Sequence, residues 1–266
     1  MEVITQIGKD GISKTSLVRI GESYFQFKTP LCSNDIDMLA LMKHELNISD
    51  ILRDYSNEYQ YQKVSNRNQT IGLILPFYKE GSLSNQITEL LLEDKVFHEG
   101  RAVIFVYHLM TVLDFAHKRG IVHRCVTPSN IMLNNGGPVL FGWHHASYKD
   151  YIPVDSIDKK YSIYRSPNSL LNEFTYLDDY YSCGKILAEL ITGNTEGKPE
   201  NKRVADIITK LSDPNPDKRY QDFRDFHIDT TDIFVDYFSH GISSAPDFVP
   251  ISTKNRLQND YLQSVN

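Results

Sequence analysis

Residues 121–133 read Ile121-Val122-His123-Arg124-Cys125-Val126-Thr127-Pro128-Ser129-Asn130-Ile131-Met132-Leu133. Two apolar residues lead into a polar centre, and the stretch closes on a second apolar run. Just before it, Val103, Val106, Tyr107, Met110, Leu113 and Phe115 recur at helical spacing between Arg101 and Arg119, with Gly120 expected as the C-cap. Further upstream the signals are mostly those of strands. Ser16 to Ile20 and Tyr24 to Lys28 alternate around a Gly-Glu turn at Gly21, and Thr70 to Phe77 is an apolar run that reads as a buried strand. One helix is expected among them, from Asp35 to Leu52, with Asn34 as its cap. From about Glu80 the pattern turns helical: Ser82 to Leu92, Asp178 to Thr192 (apolar on nearly all sides, hence buried) and Lys202 to Ser212. The chain therefore divides into a strand-rich part, 1–77, a helix-rich part, 78–225, and a partly ordered tail, 226–266. The polar end of that tail, Thr253 to Asn266, is expected to be mobile.

Composition narrows the classes. A length of 266 residues with 41% apolar and 23% charged content suits a globular domain with a sizeable core. A net charge of −6 with scattered basic residues argues against a nucleic-acid partner. Cys32, Cys125 and Cys183 fit no zinc-ligand spacing, and their odd number argues against a disulfide framework. No metal site is expected, and a reducing compartment is, the cytoplasm or also the nucleus. Met1 to Ile20 lacks the pattern of a signal peptide, and the apolar stretch near Ile104 to Leu113 is broken by Tyr107 and His108, so no membrane insertion is expected.

The central stretch resembles the protein-kinase catalytic loop, H-R-D-x-x-x-x-N followed by an apolar strand. His123, Arg124, Pro128 and Asn130 stand in register, and Cys125 takes the aspartate position. Other segments are similar to kinase elements in the same order. Tyr24 to Lys28 looks like the V-A-I-K strand, with Lys28 as the phosphate-pairing lysine and Glu45 as its helix partner. Leu73 to Leu83 looks like the hinge region, with Leu75 as gatekeeper and Pro76 to Tyr78 as the hinge. Asp179 to Gly184 resembles the D-x-W-S-x-G start of a buried helix, and Asp213 to Tyr220 the late D-P-x-x-R element, with Arg219 as its arginine. The resemblance covers roughly residues 1 to 225. It implies an α+β, bilobal kinase-like fold: an antiparallel N-lobe sheet with one helix, then a mostly helical C-lobe. Gly8, Lys28, Glu45, Leu75, Tyr78, Asn130 and Met132 are the nucleotide-contacting positions it implies.

Several parts of the phosphoryl-transfer apparatus are missing. Cys125 is a poor substitute for the aspartate that accepts the substrate hydroxyl proton, because a thiol is a weak acceptor. Aligning Val139-Leu140-Phe141 with the preceding strand places Gly142-Trp143-His144 at D-F-G, and a frame shifted by one puts Trp143 at the aspartate. Neither frame supplies a carboxylate for Mg²⁺, and Asn130 alone is a poor anchor for a hard cation. In the degenerate glycine-rich loop, Gly8 to Ser13, Asp10 brings a negative charge towards the phosphates. Gln26 replaces the small residue that roofs the adenine. ATP, if bound at all, is expected without Mg²⁺. Ser166-Pro167-Asn168 stands where A-P-E is expected, so the usual glutamate partner of Arg219 is absent. The stretch from Gly193 to Arg219 is too short for the usual extra C-lobe helix.

These traits identify the chain as similar to pseudokinases. Val122-His123-Arg124, the lost aspartate, the D-F-G-region glycine, and Glu45-Leu46 with Ser49 resemble the STRAD (STE20-related adaptor) family, allosteric partners of the kinase LKB1. The likeness implies an adaptor or activator of an active protein kinase, LKB1-like if the STRAD likeness holds, and a scaffold protein as second partner. The C-terminus lacks the Trp-Glu-Phe tail with which that family holds its scaffold. The alternative is an ATP-binding serine/threonine kinase of low or atypical activity. His123 is expected as a core histidine, Cys125 as a buried inert thiol, and Trp143 as packing. Tyr161, Ser162 and Tyr164 are hydroxyls of the activation segment, expected as ordinary exposed groups.

Overall fold

A computed structural model describes residues 1–65, 71–153, 159–171, 174–239 and 247–252, apart from a few side chains at the segment edges. The chain opens with β1 (Glu2–Lys9), β2 (Ser13–Ile20), β3 (Ser23–Pro30) and helix α1 (Ile36–Leu52), followed by β4 (Gln62–Ser65) and β5 (Ile71–Pro76). The strands form one antiparallel sheet in the order β1-β2-β3-β5-β4. Gly21, at φ +61°, makes the tight turn between β2 and β3. The cap of α1 is Asp35 rather than Asn34. Its carboxylate accepts from the amides of Asp37 and Met38, a reach that is one residue too long for Asn34 once the helix starts at Ile36. Met42, Ile48 and Leu52 bury the inner face of α1, each contributing roughly 1.5–3 kcal/mol.

The second part is mostly helical: α2 (Leu83–Leu92), α3 (Glu99–His117), α4 (Tyr176–Thr192), α5 (Lys202–Leu211) and α6 (Phe223–Ser239). Short strands intervene: β6 (Lys95–Phe97), β7 (Ile121–Val122), β8 (Ile131–Asn134), β9 (Gly137–Leu140) and β10 (Ser147–Tyr148). This antiparallel sheet and helical second part form the bilobal kinase-like fold. Helix α3 is its axis, with Val103, Val106, Leu109, Met110 and Leu113 buried. It is capped at Lys118, not Gly120; Gly120 lies two residues on, at φ +75°, where it turns the chain back. Helix α4 is buried along nearly its whole length and starts on a Thr175/Asp178 capping box. A single α-helix, α5, lies between Gly193 and Arg219.

The expected tail from 226 carries most of α6, whose Phe226, Thr230, Ile233 and Tyr237 are buried. Tyr237 packs so closely on α3 that a Cβ at Gly100 would sit 2.2 Å from its ring. Beyond it, β11 (Phe248–Pro250) pairs antiparallel with β6, and Ile251 is buried. Residues 253–266, expected as the mobile end, lie outside the described residues. No helix among the described residues is long and apolar enough to cross a membrane.

Candidate functional site

A cavity of about 790 Å³ opens between the sheet and the helical part. Gly8, Lys28, Glu45, Leu75, Tyr78, Cys125, Asn130, Met132 and Gly142 all line it, together with Asp10, Gln26, His144 and His145. The nine residues singled out from the sequence as degenerate catalytic or nucleotide-contacting positions thus share one wall system, although they come from β1, β3, α1, β5, β8, the connection after β5 and the loops before β8 and after β9.

Lys28 is the electrostatic centre. Its Nζ donates to Glu45 Oε2 at 2.8 Å, lies 3.2 Å from His144 Nδ1 and is 3.7 Å from Asp10 Oδ2. The same His144 Nδ1 also stands 3.7 Å from Glu45 Oε2, so the ring nitrogen borders both members of the pair. Burial opposes the Lys28 charge, but Glu45 and Asp10 outweigh it and raise its pKa. Burial likewise pushes the Glu45 carboxyl up, and Lys28 with His144 overcomes it, bringing it down to about 2. The Asp10 carboxyl is also held low: burial works against its charge, and Lys28, His144 and donors from Ile12 and Ser13 prevail. One ammonium therefore faces two carboxylates. Above it, the Gln26 amide donates to Pro76 O at 3.0 Å. Neither the approach of His144 nor the Gln26 bond was foreseen from sequence, where only the bulk of Gln26 was legible.

Asp179, near the start of α4, organises the central loop. Its carboxylate accepts from the amides of His123 and Arg124, each at 2.8 Å, and from His117 Nε2 at 2.8 Å. These bonds hold Arg124 at φ +67°, a conformation an ordinary side chain adopts at a cost of about 1–3 kcal/mol. The Arg124 guanidinium reaches the carbonyls of His145 and Pro153 and stacks over Phe174. His123 is fully buried, with Nε2 at 2.8 Å from Phe141 O, and burial brings its imidazole down to about 4. It is a core residue.

The Cys125 thiol is buried at the cleft wall, 3.3 Å from Asn130 Nδ2. The same amide nitrogen donates to Cys125 O at 2.9 Å. Gly142, at φ +83°, presses its backbone on that amide; a Cβ there would lie 2.7 Å from Asn130 Cγ. Trp143 points away from the cleft into the core, edge-on to His123, with its Nε1 donating to Leu140 O. Gly142, not Trp143, is therefore the residue facing the cleft. Mg²⁺ asks for carboxylate oxygens around a phosphate. Here Asn130 offers only a neutral amide oxygen, Gly142 has no side chain, Glu45 is bound to Lys28, and Asp10 is bound to its own turn beside Lys28, so the residues do not fit the ion.

Arg219 replaces its missing glutamate. It is buried, with Nη2 donating to Ser166 Oγ at 2.8 Å, Nη1 to Leu177 O at 2.9 Å, and Asp178 Oδ1 at 3.4 Å. Ser162 is exposed, as expected of an activation-segment hydroxyl, but Tyr164 is buried and donates to Glu189 Oε2 at 2.7 Å. Its hydroxyl is an internal bond and not a surface group. The side chain of Tyr161 lies outside the described residues.

Comparison with known proteins agrees with the fold. The family model of the protein kinase domain matches residues 31–234. Mitogen-activated protein kinase 4 of Homo sapiens is 31% identical over 175 residues, covering 57% of this chain and 28% of that protein. A Dictyostelium discoideum protein named as a probable serine/threonine-protein kinase kinase is 23% identical over 221 residues, covering 73% of this chain and 48% of its own length. Another from the same organism, named as a probable inactive serine/threonine-protein kinase, is 26% identical over 168 residues, covering 62% of this chain and 13% of its own length. The chain spans less than half the length of each of these relatives.

Proposed function

The chain belongs to the protein kinase family, and we propose that it is a pseudokinase: an allosteric adaptor or activator of an active protein kinase, with no phosphoryl transfer of its own. One observation carries the proposal. The Lys28–Glu45 pair is closed at 2.8 Å, while Cys125 and Gly142 leave the cleft without a proton-accepting or metal-holding carboxylate at those positions. Phosphoryl transfer depends on positioning and charge neutralisation. A helix held in an active-like pose without them is suited to presenting a surface, not to turnover. The relative named as probable inactive supports the same reading. The partner is an active protein kinase, of the LKB1 type if the traits shared with the STRAD family carry over.

Two assays test this. Phosphate transfer from ATP to generic peptide substrates is expected to be absent with Mg²⁺ or Mn²⁺; a rate that disappears in Lys28→Ala would overturn the proposal in favour of a kinase of atypical activity. A candidate partner kinase is expected to change its rate on adding this chain in equal amount. Disruption of the pose by Glu45→Ala should abolish that change.

A further inference from the structure

We propose that the cleft carries its own surrogate for a nucleotide, the Gln26 amide standing in for the amino group of a purine and the Asp10 carboxylate for a phosphate. The inference deepens the proposed function, on which it rests for the premise that nothing turns over in the cleft.

The base end comes first. Gln26 lies on β3 opposite Leu75 of β5, two residues before Lys28, and its side chain enters the cavity. It is only 6% exposed, and its amide bonds the carbonyl of Pro76, where β5 runs out into the connection towards α2. The exocyclic amine of a purine is a donor that needs an acceptor when buried, and Gln26 already holds the Pro76 carbonyl at this end of the cavity. Admitting a base would strand a buried amide donor as well as fill its space.

The phosphate end repeats the logic with charge. Asp10 sits in the turn between β1 and β2. Its Oδ1 accepts from the amides of Ile12 and Ser13 at 2.8 and 2.6 Å, and its Oδ2 from Ser13 Oγ at 2.8 Å, while lying 3.7 Å from Lys28 Nζ. Successive backbone N–H groups and a lysine ammonium are the donors a phosphate uses. Both kinds are engaged by one carboxylate of the chain itself. With Glu45 on the same ammonium, a polyphosphate meets excess negative charge rather than a free cation.

The two ends are separable by experiment. Calorimetry on the full chain with adenosine, inorganic tripolyphosphate and ATP, with and without Mg²⁺, is expected to show no binding to the wild type. Gln26→Ala should gain adenosine affinity by about tenfold or more, and Asp10→Ala tripolyphosphate affinity by a similar factor. Neither should gain the other ligand, and the double variant should gain ATP without needing Mg²⁺. Asp10→Asn, which keeps an acceptor for the turn amides but removes the charge, should fall between wild type and Asp10→Ala. If Gln26→Ala melts early, Gln26→Met, which removes the amide and keeps the bulk, should still gain adenosine affinity, by less than the roughly tenfold expected of Gln26→Ala. Wild type that binds ATP as tightly as the double variant overturns the inference. So do variants that melt like wild type and gain nothing. A chain that fails to alter any partner kinase would sink the adaptor role and leave these binding contrasts untouched; failed gains would sink the surrogate and leave the adaptor role standing.

Discussion

Gly142 shows how a single residue can fix a chemical outcome. Its positive φ and its contact with the Asn130 amide leave no room for a side chain. Restoring a carboxylate there is therefore a structural problem as well as a chemical one. Gly142→Ala is expected to lower stability by roughly 1–3 kcal/mol in urea titration. Cys125→Asp combined with Gly142→Asp is expected to yield no phosphate transfer. Lys28→Ala leaves Glu45 buried at 1% side-chain exposure without its cation, and breaking such a pair costs about 3–5 kcal/mol. A Lys28→Met, Glu45→Leu double variant should recover most of that loss, because it strands no charge. At this scale the sequence was informative where a pattern constrains a pair. Lys28 and Glu45 fall on a strand and a helix whose periodicities place both inward. His144 was illegible, because spacing along the chain does not say which way a ring turns after a left-handed residue.

At the scale of elements, α4 does more than fill the core. Through Asp179 it fixes the backbone of His123 and Arg124 and orients His117 on α3. Asp179→Ala removes three acceptor bonds at one buried site, and a loss of roughly 3 kcal/mol or more is expected by chemical denaturation. Tertiary contacts also explain which elements escaped notice in the sequence. Strand β1 is exposed over nearly its whole length, and two register shifts against β2 erase any alternation of Val3, Ile4 and Ile7. Helix α6 reads Phe223-Arg224-Asp225-Phe226-His227-Ile228-Asp229-Thr230-Thr231, rich in residues of modest helix propensity, and is held by its packing on α3. Strand β11 is three residues ending in proline, recognisable only beside β6. Helices α1 to α5 were all anticipated, with ends displaced by the caps actually used.

For the whole molecule, the buried histidines set a pH dependence. An unfolded histidine takes up a proton below about pH 6.5, whereas His123 resists until about pH 4. Its neutral form therefore contributes stability in full above pH 6.5, and the contribution is lost as pH falls towards 4. The difference amounts to about 3 kcal/mol. Burial lowers His44 and His145 in the same direction. Glu45 extends the fall below its ordinary carboxyl value, down towards pH 2. Urea midpoints should thus drop steeply between pH 7.5 and 4.5, and His123→Gln should flatten that part of the curve. The Lys28 cluster also has a history in time. His144 lies 116 residues beyond Lys28, so at about 5–20 residues per second a ribosome delivers it roughly 6–23 s later. Once α1 has followed, the nascent strands and that helix hold a lysine and two carboxylates whose third wall has not yet been made, and the final charge arrangement is a late event in synthesis.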